Sequence, residues 1–137
     1  IEIRKKVGIV IQDPETQIIA PTIFQEMGFG LENIGINEEN IHKKIDTYLK
    51  KFNLLDKKQE LCHTLSYGQK KRLSIASIVA MEPQILVLDE PLVWIDPKNY
   101  NEIKDLLNEI SRKGKEQRLY FLPMMLILPM SLQIIFT

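Results

Sequence analysis

The stretch LSYGQKKRLSIASIVAMEPQILVLDEP, residues 65–91, decides the fold. Ser66 with Gln69 three residues on is a capping box, in which each side chain serves the other's backbone N–H. The spacing predicts a helix over 66–80. Beyond Arg72 this helix is apolar on nearly every face (Leu73, Ile75, Ala76, Ile78, Val79, Ala80), the pattern of a buried helix. Glu82-Pro83 ends it. Ile85 to Leu88 is an unbroken apolar run of the kind found inside parallel sheets. It opens directly onto Asp89 and Glu90, so the chain reads as α/β with its chemistry at the carboxyl end of a strand.

Working outward, Val7-Gly8-Ile9-Val10-Ile11 is a second short run rich in β-branched residues and predicts another buried strand. Gln12-Asp13-Pro14 stops it with a turn signal. Thr22 to Phe29 predicts a short helix, with Gly28, Gly30 and Gly35 breaking the chain beyond it. Asn37 caps a further helix, since Ile41, Ile45, Tyr48, Leu49 and Phe52 recur at helical spacing. Residues 53–65 read as a loop. Downstream, Asp96 and Pro97 form the cap and first turn of another helix, whose inward stripe is Ile103, Leu106, Leu107 and Ile110. Lys113-Gly114 closes it.

Composition narrows the function classes. At 137 residues and 45% apolar content the chain is at most one domain with a real core. Eighteen basic residues balance eighteen acidic ones, so bulk charge points to no nucleic-acid partner. Lys70, Lys71 and Arg72 read as a solvated helix face. The single cysteine, Cys62, forms no internal disulfide and suits a reducing compartment. His42 and His63 read as surface residues without second ligands at useful spacing. Leu119 to Phe136 carries no charge, but Pro123, Pro129, Ser131 and Gln133 argue against a spanning helix. The chain opens on Ile1, which reads as other than a natural gene start.

Adjacent carboxylates at a strand end repel, and strand alternation points them to different neighbours. One suits Mg²⁺, and the other suits polarising a water for attack on a phosphate. Alone, Asp89-Glu90-Pro91 is also readable as a solvated acidic turn. Ser66 to Gln69 offers a hydroxyl, a glycine and free N–H groups at a helix N-terminus, which together suit an anion. Alone, it is also an ordinary cap. The ordered combination of cap, apolar helix, Pro83, strand, Asp-Glu-Pro and Asp96 is much more specific than either part.

That combination resembles the ATP-binding subunits of ABC transporters. Leu65 to Arg72 resembles the signature motif, and Ile85 to Glu90 resembles Walker B with the catalytic glutamate. Trp94-Ile95-Asp96-Pro97 resembles the D-loop, and Gln12 takes the Q-loop position. The run Gln12-Asp13-Pro14-Glu15-Thr16-Gln17 with Ala20-Pro21-Thr22 is most similar to energy-coupling-factor importers, including the cobalt and nickel type.

The resemblance implies a partial ABC-type P-loop NTPase domain over residues 1–116. It would comprise the helical signature subdomain and part of the parallel core sheet, with the N-terminal half missing. No G-x-x-x-x-G-K-[ST] phosphate loop occurs in the 137 residues. The implied cofactors are ATP and Mg²⁺. Asp89 and Gln12 would serve the metal, Glu90 would be the general base, and Gln12 would also address the attacking water. Ser66, Gly68, Gln69 and Asp96 would address nucleotide at an interface with a second ATPase subunit, identical or not. Transmembrane subunits would be the other partners, with the chain peripheral on the cytoplasmic membrane face. Without the phosphate loop and the switch histidine, the fragment alone is expected to be inactive.

Three residues depart from the family pattern: Tyr67 replaces a glycine, Leu92 a threonine or serine, and Trp94 a small residue. Trp94 is readable either as packing or as an interface clash. The alternatives are a non-catalytic remnant or dimerisation fragment, and a soluble ABC ATPase of DNA repair or translation. The importer-like run from Gln12 to Thr22 disfavours the last of these.

Residues 117–137 read as an aberrant or frameshifted apolar tail. The family follows the last helix with a strand and a Thr-His-Asp switch. Met124-Met125 must be encoded ATGATG. Read one base earlier, Leu122-Pro123-Met124-Met125 is compatible with Thr-His-Asp and then valine. One frameshift between Gly114 and Leu122 accounts for this, and a true apolar tail is the rival reading.

Overall fold

The computed structural model describes residues 6–113, 118–122 and 128–129, with side chains over 6–112. Strand β1 (Val7–Val10) leads into a one-turn helix α1 (Pro14–Gln17), then α2 (Ile23–Asn33) and α3 (Glu38–Lys51). Two 3₁₀ turns, Leu55–Lys57 and Cys62–Thr64, precede α4 (Tyr67–Val79) and β2 (Ile85–Asp89). Helix α5 (Pro97–Lys113), β3 (Arg118–Leu122) and the short β4 (Leu128–Pro129) complete the described elements.

The sheet order is β1-β2-β3-β4. β1 and β2 are parallel, with Val7 opposite Ile85 and Val10 opposite Leu88. β3 is parallel to β2 from Ile85↔Arg118 to Asp89↔Leu122, and β4 returns antiparallel. Val10, Leu86 and Leu88 are buried, whereas Ile9 is 54% exposed and Val87 half-buried. The unbroken apolar runs predict burial on both faces. Instead the strands alternate, because among the described residues helices cover one face only. Gly8 lets β1 lie directly on α4 and the turn after it. A Cβ there would come within 2.5 Å of Ile78 and 2.9 Å of Pro83.

Helices α2, α3 and α4 bury Met27, Leu31, Ile45, Leu49, Phe52, Leu73 and Ile75 completely. The capping boxes are formed as the sequence predicts at Ser66, and also at Thr22. Helix α2 does not break at Gly28 or Gly30. Each glycine costs a helix about 1 kcal/mol, and the burial of Ile23, Met27 and Leu31 outweighs that. The chain leaves the helix only near Gly35, which has φ +82°. The predicted loop 53–65 holds the two 3₁₀ turns, and α1 is an addition to the predicted elements.

Helix α5 starts as predicted, with Asp96 Oδ1 accepting from the Lys98 and Asn99 amides. Its Ile103, Leu107 and Ile110 are buried and Leu106 packs against the core from a partly exposed position. No helix among the described residues is long and apolar enough to cross a membrane. The stretch Leu119 to Phe136 contributes β3 and β4, and its remainder lies outside the described residues, as do Met124 and Met125.

Candidate functional site

Two strand ends carry the site. Val10 pairs with Leu88 as the last pair of the β1–β2 ladder, and Gln12 and Glu90 each follow two residues beyond that pair, just past the strand ends. Both are half-buried, as is Asp89. Strand β2 ends at Asp89, and Glu90 follows in the left-handed region with φ +42°. A side chain there is strained, and such strain concentrates at functional positions. A turn closed by the Val93 amide on the Glu90 carbonyl, 3.3 Å, holds this backbone. The donor set of Asp89 carboxylate and Gln12 amide is made of hard oxygen ligands. It fits Mg²⁺, which keeps several waters and takes one or two protein ligands beside phosphate oxygens.

Helix α4 packs behind these strand ends, and its polar residues are not solvated as the charge run predicts. Lys71 is fully buried, with Nζ donating to the Ile11 carbonyl at 3.2 Å and to that of Gln12. Burial pushes its pKa down to about 8, and the charges of Asp89, Asp13 and Glu90 oppose that fall. Arg72 is 8% exposed, pairs with Glu102 at 3.2 Å and donates to the Phe52 carbonyl. Lys70 pairs with Glu15. The reason is the helix's own pattern: an element apolar on all faces is enclosed, so its cations are enclosed too and need partners.

Gln17 completes the join. Its Oε1 accepts from the Ile11 amide at 2.9 Å, and its Nε2 donates to the Ser74 carbonyl at 2.8 Å. Lys71 and Gln17 are site residues the motif reading missed. Lys71 was legible from its helical spacing to Ile75 and Val79, both buried. Gln17 had no such signal.

The second group sits at two helix starts. Ser66 Oγ accepts from the Gln69 amide at 3.2 Å, and Gln69 Oε1 accepts from the Ser66 amide at 2.9 Å. Both side chains are thereby engaged within the cap. The first-turn amides of Tyr67 and Gly68 have no acceptor within the helix, and the helix dipole favours an anion near them. Gly68 is buried against Asn99, whose Nδ2 donates to Asp96 Oδ2 at 2.6 Å. The hydrogen bonds from the Asn99 side chain and amide hold the exposed Asp96 carboxyl below its usual pKa. Thus Gly68 and Asp96 meet through Asn99, while Lys71 holds the main chain of Gln12 within the field of Asp89 and Glu90. Tyr67 is half-buried, and burial followed by the charges of Asp13 and Glu15 raises its hydroxyl pKa.

Among the described residues Trp94 finds no enclosing partner: it is 82% exposed, with φ +62°. Leu92 rests partly buried against the core. His42 and His63 are exposed, and His42 stacks at 5.1 Å on Phe24. A cleft of about 250 Å³ lies beside α1, lined by Glu15, Ile18, Ile19, Pro21, Cys62 and His63 among others. Ile19 is 65% exposed there, and Glu26 Oε2 pins the loop by accepting from the Ile19 and Ala20 amides.

Residues 1–93 match the family model described as "ABC transporter". The chain is 45% identical over 114 residues to an energy-coupling factor transporter ATP-binding protein, EcfA, of Carboxydothermus hydrogenoformans. That alignment covers 83% of this chain and 42% of the relative. A Methanococcus maripaludis protein of the same name is 44% identical over 114 residues, covering 83% of this chain and 41% of its own. This chain therefore spans about two fifths of the length of these relatives. Among solved structures, cbiO1 of Clostridium perfringens, part of the ABC transporter complex cbiONQ, superimposes with a TM-score of 0.76 at 31% identity. The superposition covers 93% of this chain and 57% of cbiO1.

Proposed function

The chain belongs to the ABC transporter family, and from that membership we propose that it is part of an ATP-binding, ATP-hydrolysing importer subunit. The importer is of energy-coupling-factor type and carries a metal ion such as cobalt or nickel, or a vitamin. The observation that carries this reading is that Gln12 and Glu90 each follow two residues after the last pair, Val10 and Leu88, of two adjacent parallel strands, in a chain 45% identical to an EcfA protein.

Each residue then has a task. Asp89 and Gln12 offer oxygens to Mg²⁺, which when bound would neutralise phosphate charge. Glu90 accepts the proton of the attacking water, held toward it by the strained backbone after β2. The amides of Tyr67 and Gly68, with Ser66 and Gln69 framing them, face the nucleotide of a second ATPase subunit. Asp96 and the exposed Trp94 lie on that same interface. The cleft with the exposed Ile19 takes a transmembrane subunit, which keeps the protein on the cytoplasmic membrane face. In isolation the 137 residues, which contain no phosphate loop motif, hold ATP weakly and do not turn it over.

The tail is the frameshifted continuation of the same domain. That β3 ends at Leu122, where the family places its switch, supports this reading. Genomic sequencing across Gly114 to Met125 tests it, since bases that cannot encode Thr-His-Asp one position earlier would exclude it.

The decisive test uses the complete subunit with its partners in proteoliposomes. Glu90→Gln should reduce kcat for ATP hydrolysis about 100-fold or more while ATP still binds. Absence of hydrolysis in the unaltered complex would overturn the assignment.

A further inference from the structure

We infer that Lys71 is a positioning residue for hydrolysis, fixing the main chain of Gln12 against the Asp89–Glu90 strand end from the helix that begins at Ser66. This rests on the ATPase reading above and assigns a task to a residue outside its motif roles.

A fully buried ammonium is expensive, and a well-packed apolar side chain of similar volume is often neutral or better for stability. Helix α4 has apolar neighbours at Leu73, Ile75 and Ala76, all buried. Fold alone therefore asks for an apolar residue at 71. The charge is instead spent on one place, the main chain where β1 turns. Nζ donates to the carbonyls of Ile11 and Gln12, and an ammonium has three such donors. Asp89, Asp13 and Glu90 are the anionic groups acting on it. They come from the β2 end and from the turn after β1, so the cation hydrogen-bonded at the β1 end also lies in the field of the β2 end.

The Ile11 peptide is held on its other side as well. Its amide donates to Gln17, which in turn donates to the Ser74 carbonyl of α4. Both hydrogen-bonding groups of Ile11 are thus tied to α4 or to a side chain anchored on it. Gln12 comes next with no residue between. A shift at the Ser66 end of α4 is consequently carried to Gln12 by a rigid element and two hydrogen-bonded side chains.

Misplacement of a reacting group by about 1 Å costs on the order of 100-fold in rate, whereas nucleotide affinity rests on other residues. In the complete complex, Lys71→Met should lower kcat for ATP about 10- to 100-fold with KM changed less than about twofold. Lys71→Arg, which still donates to both carbonyls, should recover most of the loss. Thermal melts of each variant report the folded fraction. If Lys71→Met does not fold, Lys71→Gln carries the test, with the same kcat-only loss expected.

Several results would sink the inference: an unaltered kcat per folded molecule, a rise in KM at constant kcat, or no recovery with Lys71→Arg. An unaltered complex without ATPase activity removes the reading beneath it. An active unaltered complex indifferent to Lys71→Met removes the inference alone.

Discussion

Gly68 and Asn99 approach so closely that a Cβ on the glycine would lie 2.5 Å from the Asn99 Cγ. The Asn99 amide cannot swing aside freely, because it is bonded to Asp96 at 2.6 Å. At an open helical position Gly→Ala gains about 1 kcal/mol. Here Gly68→Ala should instead destabilise by about 1–3 kcal/mol, the usual range for overpacking. In an Asn99→Ala background the sign should reverse. Chemical denaturation of the two single variants and the double variant checks this. A destabilising Gly68→Ala in both backgrounds would show that Asn99 is not the obstacle.

That pair also shows what the sequence could and could not reveal. The cap at Ser66, the strand before Asp89 and the cap at Asp96 are local, encoded within a few residues, and all three form. Gly68 was legible as part of an anion-facing cap, but its neighbour is Asn99, thirty-one positions away, and no local pattern names it. Lys71 was misread because charge runs are usually solvated, although the helix around it was recognised as buried. The exposure of Ile9 and the partial exposure of Val87 went against the apolar runs for a related reason. Periodicity states that a strand can be covered on both sides, while only the surrounding chain decides whether it is.

Gln17 bridges the Ile11 amide and the Ser74 carbonyl, so it needs both an acceptor and a donor. Gln17→Glu keeps the acceptor but sets a carboxylate oxygen against a carbonyl. The loss should be about 1–3 kcal/mol at neutral pH, the cost of leaving partly buried polar groups unmatched. A charge disfavoured in the folded state raises the folded pKa above the unfolded value of about 4.3. Stability is then recovered as pH falls below that value and lost as pH rises through the folded pKa. Equal stability of variant and parent at pH 8 would contradict the bridge.

Cys62 is buried, and its thiol is pushed up to about 11, first by burial and then by the charge of Glu26. The thiolate is the reactive form, so alkylation should be slow near pH 7.5 and rise about tenfold per pH unit. Glu26→Gln removes a raising charge and should speed the reaction at fixed pH. The folded value exceeds the unfolded one of about 8.5. The thiol's contribution to stability is therefore intact below about 8.5 and fades as pH rises toward 11. A plateau in alkylation rate below pH 9 would rule this out.

Trp94 sits in a left-handed backbone conformation with 82% of its surface in water. In an L-residue that conformation costs roughly 1–2 kcal/mol, and among the described residues no burial of the ring offsets it. Trp94→Gly should therefore stabilise the subunit when it is alone, by up to about 1 kcal/mol after the entropy penalty of glycine. The same change should weaken ATP-dependent pairing if the ring packs on a second subunit. The difference in emission between the complete subunit and its Trp94→Phe variant isolates this ring. It should be water-like and readily quenched by iodide in the single subunit, then blue-shifted and protected when ATP brings two subunits together. A signal that stays quenched in the ATP-bound dimer would place Trp94 outside the interface, leaving its strained backbone without a function.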